Sequence, residues 1–345
     1  MWESGKARKH AFDEPLHIAL TARYYARTAH AHLDTQRKLG VVPGLTRVEV
    51  NRVPKGVVGI ISPWNYPFTM ALCDGLPALM AGNAVVAKPD AQTMLSALLG
   101  AELLEEAGLP RDLWQVVAGP GSRVGTSIIG HADYICFTGS TATGRLVARG
   151  CADRLIGCSL ELGGKNPLLV LRDADLEKAA EGAVRASFSN AGQLCVSIER
   201  MFVVDQVYDR FVERFVARTR RCAGGPRWDW GNDMGSLISQ EQLDAVVAHV
   251  DDALAKRACA HRRSPAPRSR PVLLRARSSR GSRRTWPASA TRRSARSSRC
   301  TASTTRPTRS LAPTPGSTAS TPRSTARTAL GPARSPARSG AAPST

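Results

Sequence analysis

Acidic residues and lysine are missing from the last quarter of this 345-residue sequence. Residues 261–345 hold 19 Arg and no Lys, Asp or Glu, so this stretch carries +19 of the formal net charge of +20 and residues 1–260 carry +1. The high isoelectric point therefore belongs to the tail and does not make the whole chain a nucleic-acid binder. Also absent is any run of about 18 apolar residues, so no membrane span is expected. The most apolar stretch, 71–87, is interrupted by Asp74, Pro77, Gly82 and Asn83. Residues 1–20 carry charges throughout and lack the apolar core of a secretory signal. The eight cysteines, at 73, 136, 151, 158, 195, 222, 259 and 300, form no C-x-x-C pair, which argues against zinc and dithiol centres. No metal site is expected. Scattered thiols suit a reducing compartment, so a cytoplasmic location is expected.

The first three quarters alternate regularly. Residues 1–35 are Ala-, Leu- and Arg-rich with no Gly after Gly5 and predict a helix. Residues 36–54 place a Pro-Gly turn between β-prone runs and predict a hairpin, a candidate oligomerisation arm. Apolar runs at 57–61, 84–87, 115–118 and 134–137 predict buried strands, with helices at 69–80, 93–107, 123–130 and 141–149 between them. This spacing implies a parallel α/β sheet covered on both faces. A second alternation follows: strands at 166–171 and 201–204, helices at 175–189, 207–220 and 242–256. Asp173 or Asp175 is positioned to cap the first of these helices. The expected organisation is a dinucleotide-binding domain at 1–163, an incomplete α/β catalytic domain at 164–257, and a tail at 258–345. Of the last 85 residues, 73 are Arg, Ser, Thr, Pro or Ala, too little apolar area to offset chain entropy, so no fixed structure is expected there.

Five segments carry chemistry. Cys195 ends the run Phe188-Ser189-Asn190-Ala191-Gly192-Gln193-Leu194-Cys195, whose polar, glycine-containing character can present a thiol in a loop. A small buried hydrophobe is the alternative. Glu161 precedes Gly163-Gly164, which places its carboxylate at a sharp bend, either as a general base or as a surface residue before a turn. Pro63-Trp64-Asn65-Tyr66-Pro67 follows the first strand directly, where Asn65 can point its amide at a developing oxyanion. Lys88 closes the next strand ahead of Pro89-Asp90-Ala91, suited to phosphate or ribose hydroxyls or simply exposed at a loop. Phe137-Thr138-Gly139-Ser140-Thr141 reads as strand, turn and helix start, with helix N–H groups available to a pyrophosphate. It is not the G-x-G-x-x-G fingerprint.

Taken in order, with 34 residues between Glu161 and Cys195, these segments resemble the aldehyde dehydrogenase superfamily over roughly residues 1–257, and most resemble its bacterial NADP-dependent succinate-semialdehyde dehydrogenases. The resemblance implies Cys195 as the nucleophile, Glu161 as the base that activates water, and Asn65 with the Cys195 N–H as oxyanion donors. It implies that Trp64, Asn65, Lys88, Pro89, Asp90, Ala91, Gly139, Ser140 and Leu162 line the cofactor. Many NAD-preferring members carry an acidic residue where Ala91 stands, so NADP is the expected cofactor, with NAD possible. The expected reaction is oxidation of an aldehyde, succinic semialdehyde first, to the acid through a thiohemiacetal and a thioester. The intact family implies a homo-oligomer. No membrane or specific nucleic-acid partner is expected.

Two readings compete: an inactive dinucleotide-binding remnant whose Arg-rich tail binds nucleic acid through phosphates in a salt-dependent way, and a cofactor-free cysteine hydrolase at Cys195, which has no histidine near it in sequence. Compared with the family, the chain starts late, and nothing after about Lys256 resembles it. A shifted reading frame in a GC-rich gene is the expectation, giving an inactive product whose helices in 166–256 expose apolar faces. In the neighbouring frame, synonymous codons between Thr285 and Arg296 allow Phe-Arg-Asp-Glu-Thr-Phe-Gly-Pro. Sequencing the gene across codons 250–300 should show this E-x-F-G-P coding; a neighbouring frame without it contradicts the shift.

Overall fold

The computed structural model describes residues 1–224 and 228–256 and the backbone of three further strands, 258–262, 273–276 and 298–303. The chain opens with an arm at residues 1–7 and helix α1 (Arg8–Leu33). The predicted hairpin follows: β1 (Gln36–Lys38) pairs antiparallel with β2 (Val48–Val50), with Gln36 opposite Val50.

The first sheet is parallel throughout. Its strands are β3 (Val57–Ile61), β4 (Ala84–Lys88), β5 (Trp114–Val116), β6 (Tyr134–Gly139) and β7 (Gly157–Leu162), in the spatial order β5-β4-β3-β6-β7. Side chains alternate across the strands. Val58, Ile60, Val85, Ala87 and Cys136 pack beneath Ala71 and Leu72 of α2 (Pro67–Leu72) and Ala97 of α4 (Met94–Glu106). Ile61, Ile135 and Phe137 face Ile128 of α5 (Thr126–His131) and Val147 and Cys151 of α6 (Thr141–Asp153). Gly59 is required by this second layer, because a Cβ there would lie 2.4 Å from an Ile128 methyl.

Two expectations are corrected in this half. The helix predicted over 69–80 is two helices, α2 and α3 (Gly75–Met80), broken at Cys73 and Asp74. Pro77 has no N–H to bond the carbonyl of residue 73, and its ring crowds that carbonyl. Glu161 does not sit at a bend: it lies inside β7, opposite Thr138 of β6, and the turn comes after Leu162.

From Leu162 the chain passes through Gly163, Gly164 and Lys165 into a second sheet, order β10-β11-β12-β9-β8, with β8 (Asn166–Val170) and β9 (Ile198–Val204) parallel. Helices α7 (Leu176–Phe188) and α8 (Asp205–Arg221) cover it; Asp175 caps α7 by accepting the N–H groups of Glu177 and Lys178. The apolar faces expected to be exposed here are buried. Val207, Phe211, Val212 and Phe215 recur at helical spacing, and Phe215 stacks on Phe188 and Phe211 at 6.2 and 5.7 Å. A last helix, α9, spans Gln240–Ala255.

In the stretch expected to lack fixed structure, three short strands are described. β10 (Ala258–Arg262) pairs antiparallel with β11 (Leu273–Ala276), which pairs parallel with β12 (Ser298–Ser303), and β12 lies parallel beside β9. The other residues after 256, with most of the tail arginines, lie outside the described residues.

One ionisable pair is built into the interior. Lys6 is 1 % exposed and bonds the carboxylate of Glu14, itself 4 % exposed. Burial pushes Lys6 down from 10.5 to about 8, against the opposing pull of Glu14 and Asp13. Between these values the unfolded chain binds a proton that the folded chain does not, so this residue makes stability rise with pH. The unfolding free energy of the native chain should therefore gain on that of a Lys6→Met variant as pH goes from 8 to 10.5, in parallel denaturant titrations. A constant difference across that window contradicts the assignment.

Candidate active site

The strand order of the first sheet reverses at β3. The chain goes from β3 to β4 and β5 on one side, then returns to place β6 and β7 on the other. Loops leaving the carboxyl ends of β3 and β6 therefore diverge and leave a crevice, the place where open α/β sheets take ligands. Ser62, Pro63, Trp64 and Asn65 leave β3; Gly139 closes β6, and Ser140 caps α6 by accepting the Thr143 N–H at 3.2 Å.

The loop before Cys195 is wound the wrong way for L-residues. Asn190, Ala191 and Gly192 have φ of 51°, 56° and 76°. An Ala in this region costs on the order of 1 kcal/mol, so neighbouring contacts must hold the turn. They do so from the other sheet. Asn190 donates its amide to the carbonyls of Asn65 (2.9 Å) and Gln193 (3.1 Å), and Asn65 donates in return to the Gln193 carbonyl at 3.1 Å. Gln193 accepts the Ile238 N–H and donates to the Asn190 carbonyl, both at 3.1 Å. On the far side Asn166 holds the carbonyls of Cys195 (2.7 Å) and Ser197 (3.0 Å). Cys195 emerges exposed from this frame, and its N–H has no hydrogen-bond partner among the described residues. The Asn65 amide therefore lies at the thiol loop, although one of its two N–H groups is taken up by Gln193.

Glu161 stands on the exposed face of β7 and shares no hydrogen bond with Cys195. The two flank α2. Tyr66, at its start, is raised by burial first and then by Glu14, Asp13 and Cys195; Asp74, just past its end, is raised by burial, opposed by the Cys73 thiol, and raised again by Glu161. Asp74 is a half-buried carboxyl that feels the charge of Glu161 and that sequence reasoning missed. It accepts the Cys73 thiol at 3.7 Å, and burial pushes that thiol up to about 12.

The residues expected around a dinucleotide lie along the same strand ends. Lys88 is 6 % exposed, bonds only the Pro89 carbonyl (2.9 Å) and has no carboxylate partner among the described residues. Pro89 is buried, and Asp90 turns its carboxylate back to the Gln92 N–H at 3.0 Å, leaving Ala91 exposed beside it. Gly139 admits no side chain, since a Cβ would meet the Phe137 ring at 2.7 Å; Leu162 packs against Gly144 at the start of α6. The Thr141 hydroxyl and the side-chain Oδ1 of Asn65 are buried without partners among the described residues. A buried unpaired ammonium at one strand end and a helix start with orphaned polar atoms at another fit an anionic nucleotide with hydroxyls. Trp64 is half-buried in the loop that leaves β3. The described residues contain no cluster of metal-ligating side chains and no helix long and apolar enough to cross a membrane.

A family model described as "Aldehyde dehydrogenase family" matches residues 1–266. A Mycolicibacterium smegmatis protein named "Putative succinate-semialdehyde dehydrogenase NADP(+)" is 56 % identical over 254 residues, 74 % of this chain and 49 % of that protein. A 2-aminomuconic semialdehyde dehydrogenase of Danio rerio is 45 % identical over 212 residues, 61 % of this chain and 44 % of its own length. The crystal structure of a succinate-semialdehyde dehydrogenase from Burkholderia pseudomallei superposes with a TM-score of 0.77 at 32 % identity, covering 87 % of this chain and 62 % of that one. The chain spans about half the length of the curated relatives it matches.

Asn190→Ala removes two bonds from a residue that is 3 % exposed and strips the Asn65 carbonyl of a donor. It should cost about 1–3 kcal/mol in urea unfolding. A change within 0.5 kcal/mol, roughly the level of an ordinary surface substitution, contradicts this role.

Proposed function

The chain belongs to the aldehyde dehydrogenase family, and on that premise we propose that it carries the site for oxidising an aldehyde to its carboxylic acid with NADP, succinic semialdehyde being the first substrate to test. The observation that supports this reading best is the bond from the Asn65 amide to the Gln193 carbonyl, which sets an N–H donor from one sheet at the loop that presents Cys195 from the other.

The exposed Cys195 thiol gives its proton to solvent and its thiolate adds to the aldehyde carbon; the carbonyl oxygen, now an oxyanion, is met by the Cys195 N–H and the Asn65 amide. When bound, the nicotinamide cofactor supplies the hydride acceptor that turns the thiohemiacetal into a thioester. Glu161, exposed on β7, takes a proton from the water that attacks the thioester carbon, and the thiolate of Cys195 leaves. Lys88 and the start of α6 would hold the nucleotide, and Ala91 would oppose no carboxylate to a 2′-phosphate. The names of the mycobacterial relatives support NADP and the semialdehyde.

The test is absorbance at the reduced-cofactor band with succinic semialdehyde, for the native chain and for Ala91→Glu. The native chain should reduce NADP, and the substitution should raise the NADP Michaelis constant at least tenfold more than that for NAD. Equal shifts for the two cofactors contradict the assignment of Ala91. No cofactor reduction under any condition contradicts activity of this chain.

A further inference from the structure

Glu14 lies on α1 but spends both carboxylate oxygens elsewhere. Oε2 accepts the N–H groups of Phe68 (3.0 Å) and Thr69 (3.1 Å), the first free donors of α2, since Pro67 has none. Oε1 takes the ammonium of Lys6, and that ammonium also sits 3.4 Å from the centroid of the Tyr66 ring. All three partners cluster where α2 begins, two residues after Asn65. Tyr66 offers no cap of its own to this helix.

The arm that carries Lys6 is in turn locked to the support of the Cys195 loop. Gly5 takes φ +66° and receives the Ser236 N–H on its carbonyl at 3.0 Å; any Cβ there would collide with the Ser236 hydroxyl. Lys9 pairs with Asp233 at 2.5 Å, and His10 meets the Asp233 carbonyl at 3.0 Å. The same segment reaches Ile238, whose N–H binds the Gln193 side chain. Lys6 thus stands between two supports of one geometry, the start of α2 behind Asn65 and the 233–238 segment behind Gln193.

We propose that Lys6 and Glu14 are positioning residues for the oxyanion donor, a buried ion pair that fixes Tyr66 and the first turn of α2 so that Asn65 meets the loop ending at Cys195. Neither residue touches the reacting atoms. Without the ammonium, Glu14 is a buried anion held only by two amides, and the Tyr66 ring loses the cation on its face. Without the carboxylate, two buried N–H groups at the helix start are orphaned. Both losses free the backbone next to Asn65, and the reciprocal bonds to Asn190 and Gln193 loosen with it. The importance for catalysis rests on the aldehyde-oxidising reading; the ordering of the two loops does not.

Hydrogen exchange by mass spectrometry on the full chain, with Lys6→Met and Glu14→Gln, tests the ordering. Both variants should lose at least tenfold protection in residues 66–70 and in residues 189–195, while 84–88 and 134–139 stay as in the native chain and Cys136 and Cys151 stay resistant to iodoacetamide. Loss confined to 66–70 would reduce the pair to a helix cap and overturn the proposal, as would unchanged exchange in both segments. If Lys6→Met opens Cys136 and Cys151 to alkylation, Glu14→Gln, which keeps the side chain's shape and one acceptor, decides alone. In the aldehyde assay kcat should fall at least tenfold with the cofactor KM within twofold. A native chain without activity would remove the functional reading but leave the exchange result to stand or fall by itself.

Discussion

Two asparagines and one backbone carbonyl hold the two halves of the site in register. Asn65 leaves the first sheet and Asn190 sits in the second half, and each reaches across: Asn190 to the Asn65 carbonyl, and both to the carbonyl of Gln193. Neither loop has regular backbone pairing of its own at this point, and a buried unpaired carbonyl is costly. The loops therefore satisfy each other, and the left-handed turn at Asn190 and Ala191 persists because the surrounding bonds determine it more strongly than the local backbone preference does. The exposed position of Cys195 follows from this turn rather than from its own residue type.

Around that contact the fold distributes polar groups by strand end. β3 delivers Asn65, β4 delivers Lys88, and β6 delivers Gly139 followed by the capped start of α6. Because the strand order reverses at β3, these ends open into a crevice instead of being covered by a crossover. Glu161 lies in β7 at the sheet edge, and its charge helps raise the Asp74 carboxyl at the break between α2 and α3. The break follows from Pro77, which cannot donate to the carbonyl of residue 73.

Much of this was legible in the residues, and the failures have physical causes. β3 was read to its ends because a continuous apolar run with turn residues on both sides leaves one register. The strand holding Glu161 was missed because Gly157-Cys158-Ser159-Leu160-Glu161-Leu162 gains its β character from pairing with β6, not from its own composition. The segment motifs named Asn65, Lys88 and Cys195, and these do lie at strand ends or in the loop. Lys6 and Glu14 gave no such signal, and Asn190, though inside the Cys195 segment, gave no sign of its partner. Glu14 bonds residues 54 and 55 positions away, and Asn190 one 125 positions away, distances over which no local pattern exists. The tail's composition argues against a core, and only short backbone ladders are described there, such as 298–303 beside β9; a ladder needs hydrogen-bonding groups more than apolar side chains.

The central claim is that Cys195 is the atom to which substrate becomes attached within this frame. Mixing the chain with succinic semialdehyde and NADP, quenching in acid within one turnover and mapping peptides by mass spectrometry tests it directly. The account predicts a succinyl adduct on the peptide bearing Cys195 and none on those bearing Cys73, Cys136 or Cys158. An adduct on another cysteine, or an unmodified Cys195 in a chain that has reduced its cofactor, would contradict it.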